Sequence, residues 1–157
     1  MQAVYQALRQ KEVQITEPQP LKFRWFFNLL SRTMPWKNAY IQELEGIPFQ
    51  FFLQQLNDEK TKEYMQKYMV PNSKEKNING ISEVIIYGSL TEKDKQLIMK
   101  LFDHATEQEG KIMIPLEKQS IIFIQAEQHS IEVILDCSNE EFHKKQLSFN
   151  NVLIRNN

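Results

Sequence analysis

Cys137 and His143 are the nearest approach in this chain to a nucleophile with its base. A cysteine attacks as the thiolate, so it needs an imidazole to take its proton and a third group to orient that imidazole. The two residues lie six apart across an expected strand-to-helix turn, with Asp136 beside the thiol. No surrounding signature supports catalysis, and a structural thiol beside a surface histidine is the simpler expectation. His104 and His129 stand alone, without the H-x-x-x-H or H-x-E spacing that gathers metal ligands. Gly88-Ser89 separates an expected strand from an expected helix, where phosphate-binding turns also occur. It lacks the second glycine and the Lys-Ser/Thr pair that cradle a phosphate, and reads as a tight βα turn. No catalytic residue, metal or cofactor is assigned, and the balance leans away from an enzyme.

Two other patches suit recognition. Pro18 to Gln42 contains no Asp or Glu, and sets Lys22, Arg24, Arg32 and Lys37 among Phe23, Trp25, Phe26, Phe27, Leu29, Leu30, Met34 and Trp36. Cations beside aromatics suit an anionic membrane, stacked bases or an acidic protein, and Trp and Arg are enriched at interface hot spots. If the segment is a helix, Trp25, Phe26, Leu29 and Leu30 are equally its buried stripe. Among functional readings a protein partner leads, with Arg24, Trp25 and Arg32 as contacts. Four cations are few for membrane binding, and stacking platforms usually sit on strands. The second patch is acidic: Glu127, Glu132, Asp136, Glu140 and Glu141 cluster around the last hairpin. Glu132 alternates with Ile131 and Val133, so it faces away from the core side, and Asp136 follows on the same face. Glu127, Glu132 and Asp136 would suit a basic partner.

The elements that must carry these residues divide at a polar segment. Val4 to Glu12 suggests a short helix, stopped by Pro18-Gln19-Pro20. Leu21 to Met34 reads as a helix ended by Pro35, and Asn38 to Leu44 as another. Phe49, Phe52, Leu53 and Leu56 recur at i, i+3, i+4 and i+7, again a helical pattern. Asn57-Asp58 can cap a helix to Met69, with Tyr64, Met65, Tyr68 and Met69 on its apolar side. Pro71 to Gly80 is a linker.

Beyond it Val84 to Tyr87 is a β-branched run, and Thr91 caps a helix striped by Leu97, Ile98, Leu101, Phe102 and Ala105. Ile112 to Ile114, Ile121 to Ile124 and Ile131 to Leu135 are strands. Ser138-Asn139-Glu140-Glu141 fits a capping box that opens a helix to Gln146, and Leu147 to Ile154 is a last strand.

The expected architecture is α+β: a helical N-terminal half packed with a mainly antiparallel sheet of about four to five strands. The C-terminal order is β-α-β-β-β-α-β. A length of 157 residues suits a single domain, helical over residues 1–70, linked through 71–80 and sheet-bearing over 81–157. One cysteine excludes an intrachain disulfide and suits a reducing compartment. Met1 to Val13 has no signal-peptide core, so a cytoplasmic protein is expected. Residues 1–80 carry 11 Lys/Arg against 8 Asp/Glu, and residues 81–157 carry 8 against 12. That imbalance is too small for a protein that binds nucleic acid through its phosphates.

Without a catalytic constellation, the favoured function is a non-enzymatic protein-binding module. Its most concrete form is a bacterial immunity- or antitoxin-type inhibitor of a toxin or other enzyme, with a basic toxin domain as the partner. The alternatives are a small enzyme using Cys137 and His143, and a peripheral membrane adaptor using Pro18 to Gln42.

Overall fold

The computed structural model describes residues 1–25, 27, 29–69 and 75–156, with only the backbone of Trp25, Tyr68 and Met69. Internal contacts divide the chain into two compact units, Met1–Glu43 with Pro48–Met69, and Leu44–Ile47 with Val70–Asn157. The class is α+β, as expected. The helical first half is not formed.

The first unit begins as the sequence suggests, with helix α1 (Gln2–Gln10) burying Tyr5 and Leu8. Then come β1 (Gln19–Trp25), β2 (Leu30–Tyr40) and β3 (Phe52–Leu56), an antiparallel sheet in the order β1-β2-β3. Leu21 to Met34 is thus a β-hairpin, Asn38 to Tyr40 ends a strand, and Phe52 to Leu56 is a strand. Pro35 sits in the central strand without loss. The β1 ladder is irregular between Pro20 and Lys22, and pairing with β3 begins only at Trp36, so the missing N–H falls where no bond is due. Helix α2 (Glu59–Met69) forms as expected. The Asp58 side chain accepts the Thr61 N–H at 2.7 Å, a bond that holds its carboxyl below the usual range. Tyr64 on α2 is exposed, whereas Thr61 is buried; the expected apolar members Tyr68 and Met69 have side chains outside the described residues.

The second unit is one seven-stranded sheet with a helix. Its elements are β4 (Ile78–Gly88), α3 (Glu92–Leu101), β5 (Thr106–Gln108), β6 (Lys111–Pro115), β7 (Ser120–Gln125) and β8 (Ser130–Cys137). A single 3-10 turn (Glu140–Phe142), β9 (Gln146–Phe149) and β10 (Val152–Asn156) complete it. The order is β5-β6-β7-β4-β8-β10-β9, with β4/β7 and β8/β10 parallel and the other four pairs antiparallel. Three expectations are corrected. Ile78 to Gly80, expected in a linker, already belongs to β4; residues 70–74 of that linker lie outside the described residues. The helix from Ser138 to Gln146 is only the 3-10 turn, capped by Asn139 and halted by Lys144 in the left-handed region (φ 54°). Leu147 to Ile154 is a hairpin, turned at Asn150 (φ 52°) rather than one strand.

Strand alternation gives the sheet two unlike faces. Cross-strand register puts Ile112, Phe123, Ile86, Ile131, Val152 and Phe149 in one row across the first face. The row beside it is Ile114, Ile121, Val84, Val133, Ile154 and Leu147, equally apolar. Ile86, Ile112, Ile114 and Phe123 are fully buried there, and Leu97 and Ile98 of α3 are buried as well. Leu101 and Phe102, expected in the same stripe, are half-buried. The second face is mixed, with a cluster of Ile85, Ile122 and Ile134 against Tyr87 and Ile124.

Asp94, 2% exposed, fastens Leu44–Ile47 to this unit. Its carboxylate accepts the backbone N–H of Glu45 (2.6 Å), Gly46 (3.0 Å) and Thr91 (2.9 Å), while its own N–H donates to the Thr91 hydroxyl at 3.2 Å. The last two bonds are the capping box of α3. Leu44 and Ile47, on either side of the pinned pair, are buried.

Candidate binding surfaces

Glu132 is on the second face, as its alternation requires, but it is not free to meet a partner. It is paired with the Arg155 guanidinium on β10, and its other oxygen accepts the Tyr87 hydroxyl at 3.3 Å. The Glu132 side chain is mostly covered, so its charge is answered inside the sheet. Burial raises the Tyr87 pKa, and the Glu132 carboxylate raises it further. A raised value adds stability that is full below the ordinary tyrosine pKa and is lost as pH rises through the shifted one. Tyr87→Phe should therefore flatten the alkaline limb of the stability profile. Glu132→Gln should cost about 1–3 kcal/mol in a denaturant melt, because it takes this counter-ion away from the guanidinium. A change below about 0.5 kcal/mol, the size of an ordinary surface effect, would show the pair to be a solvated contact.

Asp136 and Glu127 are exposed; Asp136 accepts a hydrogen bond from the Asn79 side chain at 3.2 Å. Because Ile134, between Glu132 and Asp136 on the same face, is buried, these carboxylates do not merge into one acidic patch. The Cys137 thiol donates to the Lys76 carbonyl at 4.0 Å, and among the described residues no hydrogen bond joins it to His143. His129 is tied through Nδ1 to the Tyr87 carbonyl at 3.0 Å. Among the described residues no three His, Cys, Asp or Glu side chains gather as metal ligands. No helix among them is long and apolar enough to cross a membrane.

Two surfaces have a different character. On the first face of the seven-stranded sheet, the apolar rows finish uncovered on β9, an edge strand. Leu147 is 65% and Phe149 71% exposed. Beside them a groove of about 330 Å³ is lined by Ile78, Leu135, Phe142, Lys145, Leu147, Ile154 and Arg155 among others. Sequence patterns alone miss this surface, because they merge β9 and β10 into one strand. The Asn150-Asn151 pair is the available sign of a turn.

The second surface is the β1–β2 hairpin. Phe27 is 99% and Leu29 83% exposed at its tip, and Phe23 and Leu30 are exposed behind them. Arg24 and Arg32 are also exposed; the Trp25 side chain lies outside the described residues.

No protein-family model matches the chain, and no curated protein matches it. Among solved structures, the crystal structure of a hypothetical protein from Staphylococcus aureus is similar, with a TM-score of 0.69 at 16% identity. The match covers all of this chain and 61% of that one, so the chain spans about three-fifths of that protein's length. What the two share is the fold.

Proposed function

We propose that this chain is a non-enzymatic protein-binding module of the bacterial cytoplasm, in its most concrete form an inhibitor of the immunity or antitoxin type. The observation that supports this reading is the uncovered end of the apolar sheet face at β9, where Leu147 and Phe149 are exposed beside half-buried β10 and β8. Ordinary monomer surfaces scatter their exposed apolar residues; an apolar run that ends on an edge strand is costly unless a partner covers it. A protein segment laid along β9 would bury Leu147 and Phe149, and could place an apolar side chain in the adjoining groove. Its backbone would pair with the free edge, as in other strand-addition complexes. Such a surface needs no reactive group, in keeping with an inhibitor that acts by occupying another protein. The acidic patch is the weaker contact, because Glu132 already has its counter-ion.

Affinity capture from a bacterial lysate tests this, using the wild-type chain and a Leu147→Lys, Phe149→Lys variant. Both side chains are exposed, so the variant should keep its melting temperature within a degree or two, equivalent to about 0.5 kcal/mol or less. It should lose the wild-type partner by about tenfold or more. Undiminished capture by the folded variant would remove this surface from consideration. If a captured enzyme keeps full activity when the chain is added back, the inhibitor form of the proposal fails.

A further inference from the structure

We propose that the tip of the β1–β2 hairpin inserts into an anionic lipid bilayer. The hairpin belongs to the first unit, and this inference does not depend on the sheet edge of the second. A soluble protein seldom exposes a phenylalanine almost completely, and here Phe27 and Leu29 stand together at the end of the ribbon. The cations lie directly behind them. In the hairpin register Trp25 faces Leu30, Arg24 faces Ser31, Phe23 faces Arg32 and Lys22 faces Thr33. Counting back from the Trp25–Leu30 pair, Arg24, Arg32 and Lys22 fall one, two and three residues away, at roughly 3.4 Å per residue. They occupy the band about 3–10 Å behind that pair, with Phe27 and Leu29 beyond it. An interfacial element buries its apolar part by about 5–10 Å, which leaves these three charges level with the phosphates.

The arrangement of faces selects a bilayer over a protein partner. Alternation puts Phe23, Leu30 and Arg32 on one side of the ribbon and Lys22, Arg24, Ser31 and Thr33 on the other. Cations therefore lie on both sides of the stem, with Phe23 among them, and Phe27 and Leu29 stand beyond them at the tip. A protein docked on one side would meet only half of them, whereas lipid closes around the whole end. Pro18 to Gln42 contains no carboxylate to oppose a negative surface. In a helix the same residues would form a stripe with cations along its length; the hairpin turn instead sorts them by depth.

Vesicle flotation of the full chain tests the inference, with phosphatidylcholine mixed with phosphatidylglycerol against phosphatidylcholine alone. The chain should bind the anionic vesicles about tenfold or more tightly than the neutral ones, and added salt should weaken that binding. Phe27→Asp with Leu29→Asp should lower it by about tenfold or more. Aspartate also tolerates the left-handed backbone at position 27 (φ 52°), and both positions are exposed, so circular dichroism should be unchanged. Arg24→Gln with Arg32→Gln should lower binding about 25-fold and flatten the salt dependence, at about fivefold for each cation. Absence of wild-type binding, or full binding by the folded aspartate variant, overturns the inference. Self-association of the wild type that the aspartate variant abolishes, without lipid binding, would assign the tip to a second copy of the chain and overturn it equally.

Discussion

Asp94→Ala should destabilise the second unit by about 3–5 kcal/mol in a denaturant melt, a larger effect than any exposed substitution can produce. The carboxylate is buried and takes three backbone N–H groups, from Glu45, Gly46 and Thr91. Alanine would leave all three donors without their acceptor, at about 1–3 kcal/mol for each that stays away from water. The α3 cap would also lose half of its box. Burial by itself would raise the Asp94 pKa, but the backbone N–H bonds from Thr91, Glu45 and Gly46, with the Thr91 hydroxyl, outweigh it and hold the carboxyl below its usual range. A depressed folded-state value means that the contribution is present above the ordinary aspartate pKa and disappears as pH falls through the lowered one. The wild type should therefore lose stability below about pH 4 more steeply than the Asp94→Ala variant. Parallel acid limbs would show that the carboxylate is not the group being titrated.

Gly46→Ala should cost about 3 kcal/mol, at the upper end of what an added methyl produces in a packed site. A Cβ at Gly46 would overlap the Ser89 carbonyl oxygen, a backbone atom that no rotamer change can move aside. Gly80→Ala is the internal control. A Cβ there meets nothing within 4 Å, so alanine should be neutral or slightly stabilising, within about 0.5 kcal/mol. Equal melting temperatures for the two alanine variants would mean that Leu44–Ile47 is not held close to the turn after β4.

Legibility in the sequence follows whether local patterns and long-range pairing agree. Val84 to Tyr87, Ile112 to Ile114, Ile121 to Ile124 and Ile131 to Leu135 are β-branched, too short for helices, and all fall within strands. Thr91 is the N-cap it resembles, because capping is decided by a few adjacent residues. The first unit misleads where an apolar spacing fits two periods. Phe49, Phe52, Leu53 and Leu56 mimic a helical face, yet Phe52 to Leu56 pairs with Trp36 to Tyr40 across an interval no local window spans. Pro35 resembles a helix terminator because a proline gives no sign that its missing donor falls at a gap in a ladder. Composition alone marks Pro18–Gln42 as a recognition candidate, but only the hairpin carries Phe27 and Leu29 beyond its charges. Alternation puts Glu132 on the correct face. Its engagement is invisible in the sequence, since Arg155 lies 23 residues away and is brought alongside by a parallel strand.

The excursion of Leu44–Ile47 has a consequence for how this protein can be divided. The backbone leaves the first unit after Glu43, contributes four residues to the second, and returns at Pro48 before leaving again after Met69. The two units are compact but not contiguous, and one cut of the chain cannot yield both intact. A fragment that starts after Met69 has the whole seven-stranded sheet and still lacks the buried Leu44 and Ile47, with two of the three donors to Asp94. A fragment that stops at Met69 carries the same four residues with nothing to receive them. Gene fusions, domain exchanges and limited proteolysis that treat residue 70 as a boundary sever a plug from its socket, and the fragments most faithful to this fold come from reuniting the two pieces in one tube.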